Sequence, residues 1–144
     1  MRTVQVLFPS FPVVEPNLPI APRSGVPWQV LCGDQEHWRL GLFSPKETGA
    51  KDIAELEKHD CPEVFWLLSG KLTLLLARNR SLEELPLEIG KPVLVTVPHA
   101  GFCPDGPHTG TALVVERDAF TTEYRPVEDW LRDQTITYLT VPEM

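Results

Sequence analysis

The sequence predicts an all-β domain, a barrel or a sandwich. Short runs rich in β-branched and aromatic residues recur along the chain, turn residues separate them at short spacing, and almost no segment is long enough for a substantial helix. The 144 residues fit one domain, 1–144, with one core, and a hydrophobic content of 42% is too high for a chain disordered throughout.

Met1 to Phe8 reads as a strand. Prolines 9, 12, 16, 19, 22 and 27 then punctuate an extended arm, taken as 1–27, because proline donates no ladder hydrogen bond and restricts its predecessor. Strands follow at Trp28–Cys32 and His37–Phe43, and a polar loop runs from Ser44 through Lys51. Asp52–His59 reads as a strand, although Ala54, Glu55 and Leu56 equally suit a helix start. Val64–Leu68 and Lys71–Ala77 are expected to form an antiparallel pair joined at Ser69-Gly70. Ser81–Gly90 reads as a polar connection, Val93–Val97 as a strand and Pro98–Gly110 as a Gly/Pro-rich loop. Strands are expected at Ala112–Glu116 and Phe120–Tyr124. Pro126–Arg132 suits a short helix, with proline near its start and acids in its first turn. Thr135–Val141 closes the chain as a β-branched and aromatic strand.

A formal charge of −7 argues against a nucleic-acid surface, which needs clustered Lys and Arg. No apolar run approaches the ~20 residues that span a bilayer. Three cysteines, Cys32, Cys61 and Cys103, with no export signal, fit free thiols and a cytoplasmic protein.

The segment from Glu57 to Gly70 carries the chemistry. If it is one strand, Glu57, His59, Cys61, Glu63, Phe65 and Leu67 share a face. Four ligand-type or acid/base side chains would then stand above a hydrophobic floor. Val64, Trp66 and Leu68 take the opposite face, which calls for a cover, and a second copy of the chain is the natural one.

The segment resembles the first motif of the cupin superfamily, G-x5-H-x-H-x3/4-E-x6-G. Six residues separate Glu63 from Gly70, His59 takes the second histidine position, and Glu57 stands where the first would be. The second motif, G-x5-P-x-G-x2-H-x3-N, is altered. Seven residues separate Gly90 from Pro98, Ala100 takes the glycine position, Cys103 the histidine position and Pro107 that of the asparagine. The resemblance covers about 52–116. It implies a jelly-roll β-barrel, here with a proline-rich arm and a short C-terminal helix. It also implies a metal set of Glu57, His59, Glu63 and Cys103 in place of three histidines and a glutamate.

Two functions stay open at this level. One is a barrel that binds a small molecule without a metal. The other is a metal-dependent enzyme of dioxygenase or isomerase/epimerase type, with His59 and Glu63 holding one divalent ion (Zn, Fe, Mn or Ni). His59 reads equally as a ligand or proton carrier and as an inert, hydrogen-bonded histidine at the barrel mouth. Burying Glu57 beside Glu63 requires a compensating cation or proton, whereas an exposed Glu57 would simply be solvated. Cys103 reads as a soft ligand or as a small buried hydrophobe. His99 shares the parity of Val93, Val95 and Val97 and is the substitute for the missing histidine, with His108 a more distant one. Phe102, with Trp38 and Trp66, lines a pocket or packs core and interface. The expected partners are a small-molecule ligand in the barrel and a second subunit, with neither nucleic acid nor membrane.

Overall fold

The computed structural model describes residues 1–133; the strand expected at Thr135–Val141 lies outside them. In chain order the elements are β1 Arg2–Val6, β2 Trp28–Asp34, β3 Trp38–Phe43, β4 Glu55–His59, β5 Glu63–Ser69, β6 Thr73–Arg78, β7 Ser81–Pro86, β8 Val93–Val95, β9 His99–Phe102, β10 Thr111–Arg117, β11 Phe120–Pro126 and helix α1 Val127–Arg132. They form two antiparallel sheets, ordered β1-β11-β4-β9-β6-β7 and β2-β3-β10-β5-β8.

From β3 to β11 the chain crosses between the sheets at nearly every connection, β6 to β7 being the one hairpin within a sheet. That alternation is the jelly-roll winding, and it closes the two sheets around one core. Phe65 and Leu67 of β5 and Val114 of β10 face Leu74 and Leu76 of β6 across the interior, with Leu72 and Cys103 beside them. The other side of β6 is buried too. Leu75 and Ala77 lie beneath α1 with Leu56 and Trp130, whose indole N–H donates to the Leu56 carbonyl at 2.9 Å. Full burial of β6 explains its unbroken leucine run.

The expected pairing of Val64–Leu68 with Lys71–Ala77 does not form. β5 pairs with β10 and β8, while β6 pairs with β7 and β9 in the other sheet. Gly70, at φ +69°, turns the chain from one sheet to the other, and a Cβ there would lie 2.0 Å from the Thr109 carbonyl oxygen. A hairpin would set the β5 and β6 leucines side by side; the corner sets them face to face and buries both. Ser81–Pro86, expected as a connection, is strand β7. Its exposed glutamates hide it in the sequence, because it is an edge strand whose ladder to β6 requires no apolar face. Residues 50–52, at the head of the expected Asp52–His59 strand, form a 3₁₀ turn, and strand geometry begins at Glu55.

The arm is fastened to the domain. β1 pairs with β11, and the Ser10 amide donates to Asp118 Oδ1 at 2.7 Å. The Phe11 ring packs so closely on Gly33 that a Cβ there would meet it at 2.4 Å. No helix among the described residues is long and apolar enough to cross a membrane.

Candidate functional site

His59 and Glu63 do not share a strand. His59 ends β4 in the six-stranded sheet, Asp60 to Pro62 turn the corner, and Glu63 opens β5 in the five-stranded sheet. The two side chains therefore meet from opposite walls, with His59 Nε2 3.1 Å from Glu63 Oε1. The row of four ligand-type residues along one strand face is thus corrected. Cys61 lies in the corner, buried, and burial pushes its thiol up to about 11.

His99 completes the group. It does not continue the face of β8, because Pro98 interrupts and the chain changes sheets. β9 pairs with β4, with Glu57 opposite His99. His99 Nε2 lies 2.5 Å from Glu63 Oε1 and 3.7 Å from Glu57 Oε1, and His59 Nε2 lies 3.9 Å from that same Glu57 atom. His59, Glu63 and His99 are buried, and Glu57 is partly exposed at the rim.

Both imidazoles are held through their other nitrogen. His99 Nδ1 donates to the Val97 carbonyl at 2.9 Å, so a neutral ring carries its lone pair on Nε2. His59 Nδ1 bonds the Thr122 hydroxyl at 2.8 Å, also leaving Nε2 toward Glu63. This is how histidine ligands are oriented in metal sites. Burial opposes charge on His99, but the Glu63 carboxylate outweighs it and raises the pKa to about 9. Burial likewise opposes charge on Glu63; the nearby His99 and His59 prevail and hold that carboxyl far below its usual range.

Glu63 Oε1 and His99 Nε2 are buried and, despite their closeness, lack hydrogen-bonding geometry to any described group. Two converging lone pairs in a buried site are costly unless a cation or proton lies between them. Glu57, His59 and His99 offer ligand atoms within 4.8 Å of one another, as do His59, Glu63 and Glu116. A divalent ion about 2.0–2.2 Å from each ligand holds them roughly 3–3.5 Å apart. The donor set of imidazoles and carboxylates fits Zn, Fe, Mn or Ni.

Cys103 is not part of this group. It is fully buried in the hydrophobic core with its Sγ directed at the Gly110 carbonyl, 3.5 Å away, and burial raises its pKa. The altered second motif thus brings His99 to the group, and not the residue aligned with the family histidine. Phe102 is buried but does not line the cavity, and Trp38 and Trp66 are exposed. His108 serves the loop, its Nδ1 donating to Ser44 O at 2.6 Å, and His37 is exposed.

The group opens into a cavity of about 410 Å³ between the sheets, walled by Trp28, Phe43, Phe65, Phe120 and Tyr124. The sequence reading missed two charged residues there. Arg39 of β3 and Glu116 of β10 are register partners and form a buried ion pair, with Nε 2.9 Å and Nη2 2.8 Å from Glu116 Oε1. Burial and the Glu63 charge push Glu116 up to about 7 against the pull of Arg39. The available signal was parity, since Glu116 shares the inward face of Ala112 and Val114.

No protein-family model matches the sequence, and no curated protein does. The fold is two antiparallel sheets wound as a jelly roll around an interior site, as the resemblance in the sequence implied. Solved structures that the chain resembles include a cupin-2 domain containing protein from Shewanella frigidimarina, at 15% identity and a TM-score of 0.48, over 67% of this chain and 84% of that one. Another is the hydroxypropylphosphonic acid epoxidase from S. wedmorenis, at 19% identity and a TM-score of 0.49, over 79% of this chain and 60% of that one. A recombinant oxalate oxidase follows at 17% identity and a TM-score of 0.39, over 58% of this chain and 40% of that one.

Proposed function

We propose that the barrel holds one divalent metal ion through His59, Glu63 and His99, with Glu57 at the rim, and binds a small organic molecule beside it as a metal-dependent enzyme. The observation that carries this reading is the pair Glu63 Oε1 and His99 Nε2, buried and lacking hydrogen-bond partners among the described residues. Without an ion the two atoms need a shared proton; a divalent ion would satisfy both at once, together with His59.

A bound ion would supply Lewis-acid polarisation of the substrate. The protein's own groups do the rest. Thr122 and the Val97 carbonyl fix the two imidazoles. Phe65, Phe43 and Phe120 give the cavity apolar walls, which strengthen electrostatic interactions beside them. Glu116, with its pKa near 7, can hold or release a proton beside Glu63.

The deciding experiment is metal analysis of untagged protein purified without chelator, followed by calorimetric titration with Zn, Fe, Mn and Ni. Stoichiometric uptake of one ion is expected. If the protein takes up none of the four, the barrel is an organic-ligand pocket only.

A further inference from the structure

Arg39 stands out on the cavity wall because the metal group does not use it. It is buried, yet it lines the cavity. Its Nε and Nη2 share a single oxygen of Glu116, and Nη1 donates to the Ser10 carbonyl at 3.3 Å. A guanidinium has five N–H donors, so two remain without an acceptor among the described residues. Its plane is steadied by the Phe120 ring at 4.9 Å and the Trp28 ring at 5.7 Å, both cavity walls. A purely structural strut between the arm and β10 would bury its spare donors against protein. This one lies on the cavity wall.

We infer that the cavity takes a small organic acid whose carboxylate docks on Arg39 while the rest of the molecule reaches the His59–Glu63–His99 group. The inference rests on the reading of the barrel as a small-molecule site and specifies its ligand class. A guanidinium fork matches a carboxylate in two parallel hydrogen bonds, and a desolvated one strongly prefers an anion to a neutral amide. The distance suits a short molecule. Glu116 lies within 4.8 Å of the His59 and Glu63 ligand atoms and touches Arg39 on its other side, so one carboxylate separates Arg39 from the metal group. The remaining wall is aromatic and apolar, which suits a compact carbon skeleton bearing the acid.

The test uses the full chain and two probes of equal shape, benzoate and benzamide. Binding is followed by tryptophan fluorescence, since Trp28 lines the cavity, with and without added Zn. Benzoate is expected to bind at least about tenfold more tightly than benzamide in both conditions, the effect of charge-assisted hydrogen bonds to a buried partner. Arg39→Met should erase the preference. Arg39→Lys, which keeps the charge if the truncated variant misfolds, should weaken benzoate several-fold through loss of the fork. Equal binding of the two probes by the wild type, or binding of neither, overturns the proposal. So does a preference that appears only with Zn and survives Arg39→Met, because the carboxylate would then sit on the metal. A preference for benzoate in protein that takes up no Zn would sink the metal reading and leave the acid site standing.

Discussion

His99 Nε2 and Glu63 Oε1 approach to 2.5 Å from opposite sheets of the barrel, one carried by β9 and the other by β5. The contact is non-local in the chain and is made only when the two sheets close on each other. Metal binding at this pair would therefore fasten the sheets together and add its binding free energy to folding.

Removing an imidazole should remove the metal. His99→Ala and His59→Ala are each expected to abolish uptake of Zn, Fe, Mn and Ni in titration calorimetry. Cys103→Ala and Trp66→Ala should leave it intact, because Cys103 lies in the core and Trp66 on the outer face. Loss of uptake in Cys103→Ala, with the fold preserved by circular dichroism, would reinstate the thiol as a ligand.

The metal-free protein should lose stability with rising pH. The folded pKa of His99 is raised from 6.5 to about 9, chiefly by Glu63 acting against burial. A group whose pKa is higher in the folded state stabilises fully below its unfolded value, and the gain disappears as pH rises through the folded one. The melting temperature of chelator-treated protein is thus expected to fall between pH 6.5 and 9. His99→Gln should flatten that fall. Metal affinity should rise over the same window, because the ion displaces the proton. An unchanged melting profile in His99→Gln would refute the assignment.

Gly70→Ala should destabilise the barrel strongly. The residue sits at φ +69°, and a Cβ would lie 2.0 Å from the Thr109 carbonyl oxygen, which is backbone and yields only if the corner moves. A loss of about 2 kcal/mol or more in denaturant unfolding is expected, the combined cost of a left-handed non-glycine residue and the clash. Gly90→Ala is the control. It shares a positive φ but has open space around it, so its loss should be smaller.

The outer face of the five-stranded sheet carries Val64, Trp66, Leu113, Val115 and Leu94 on adjacent strands, with Trp66 45% and Leu94 47% exposed. We propose that a second copy of the chain covers it. Light scattering at micromolar concentration should give twice the chain mass, and Trp66→Glu should halve it. A wild-type monomer would leave the face free and end this proposal.

Local pattern made much of this protein legible. Alternation marked β5 and its exposed Trp66, the proline near its start and the acidic first turn placed α1, and the Glu63 to Gly70 spacing pointed to a jelly roll. His59, Glu63 and His99 were all named as candidates by residue type, although the parity argued for them did not hold, since they stand on three different strands in two sheets. What local pattern could not carry was pairing. Parity says which residues share a face of one strand, but not which sheet the strand joins, because that depends on hydrogen bonds to chain distant in sequence. So the Ser69-Gly70 turn read as a hairpin and proved to be a corner. For the same reason His59 and Glu63 read as neighbours along one strand, although they face each other across the barrel. That His99 and not Cys103 joins His59 and Glu63, and that Arg39 meets Glu116, were decided only when the two sheets closed. A side chain's partners in a barrel come from the opposite wall, and the fold alone determines which wall that is.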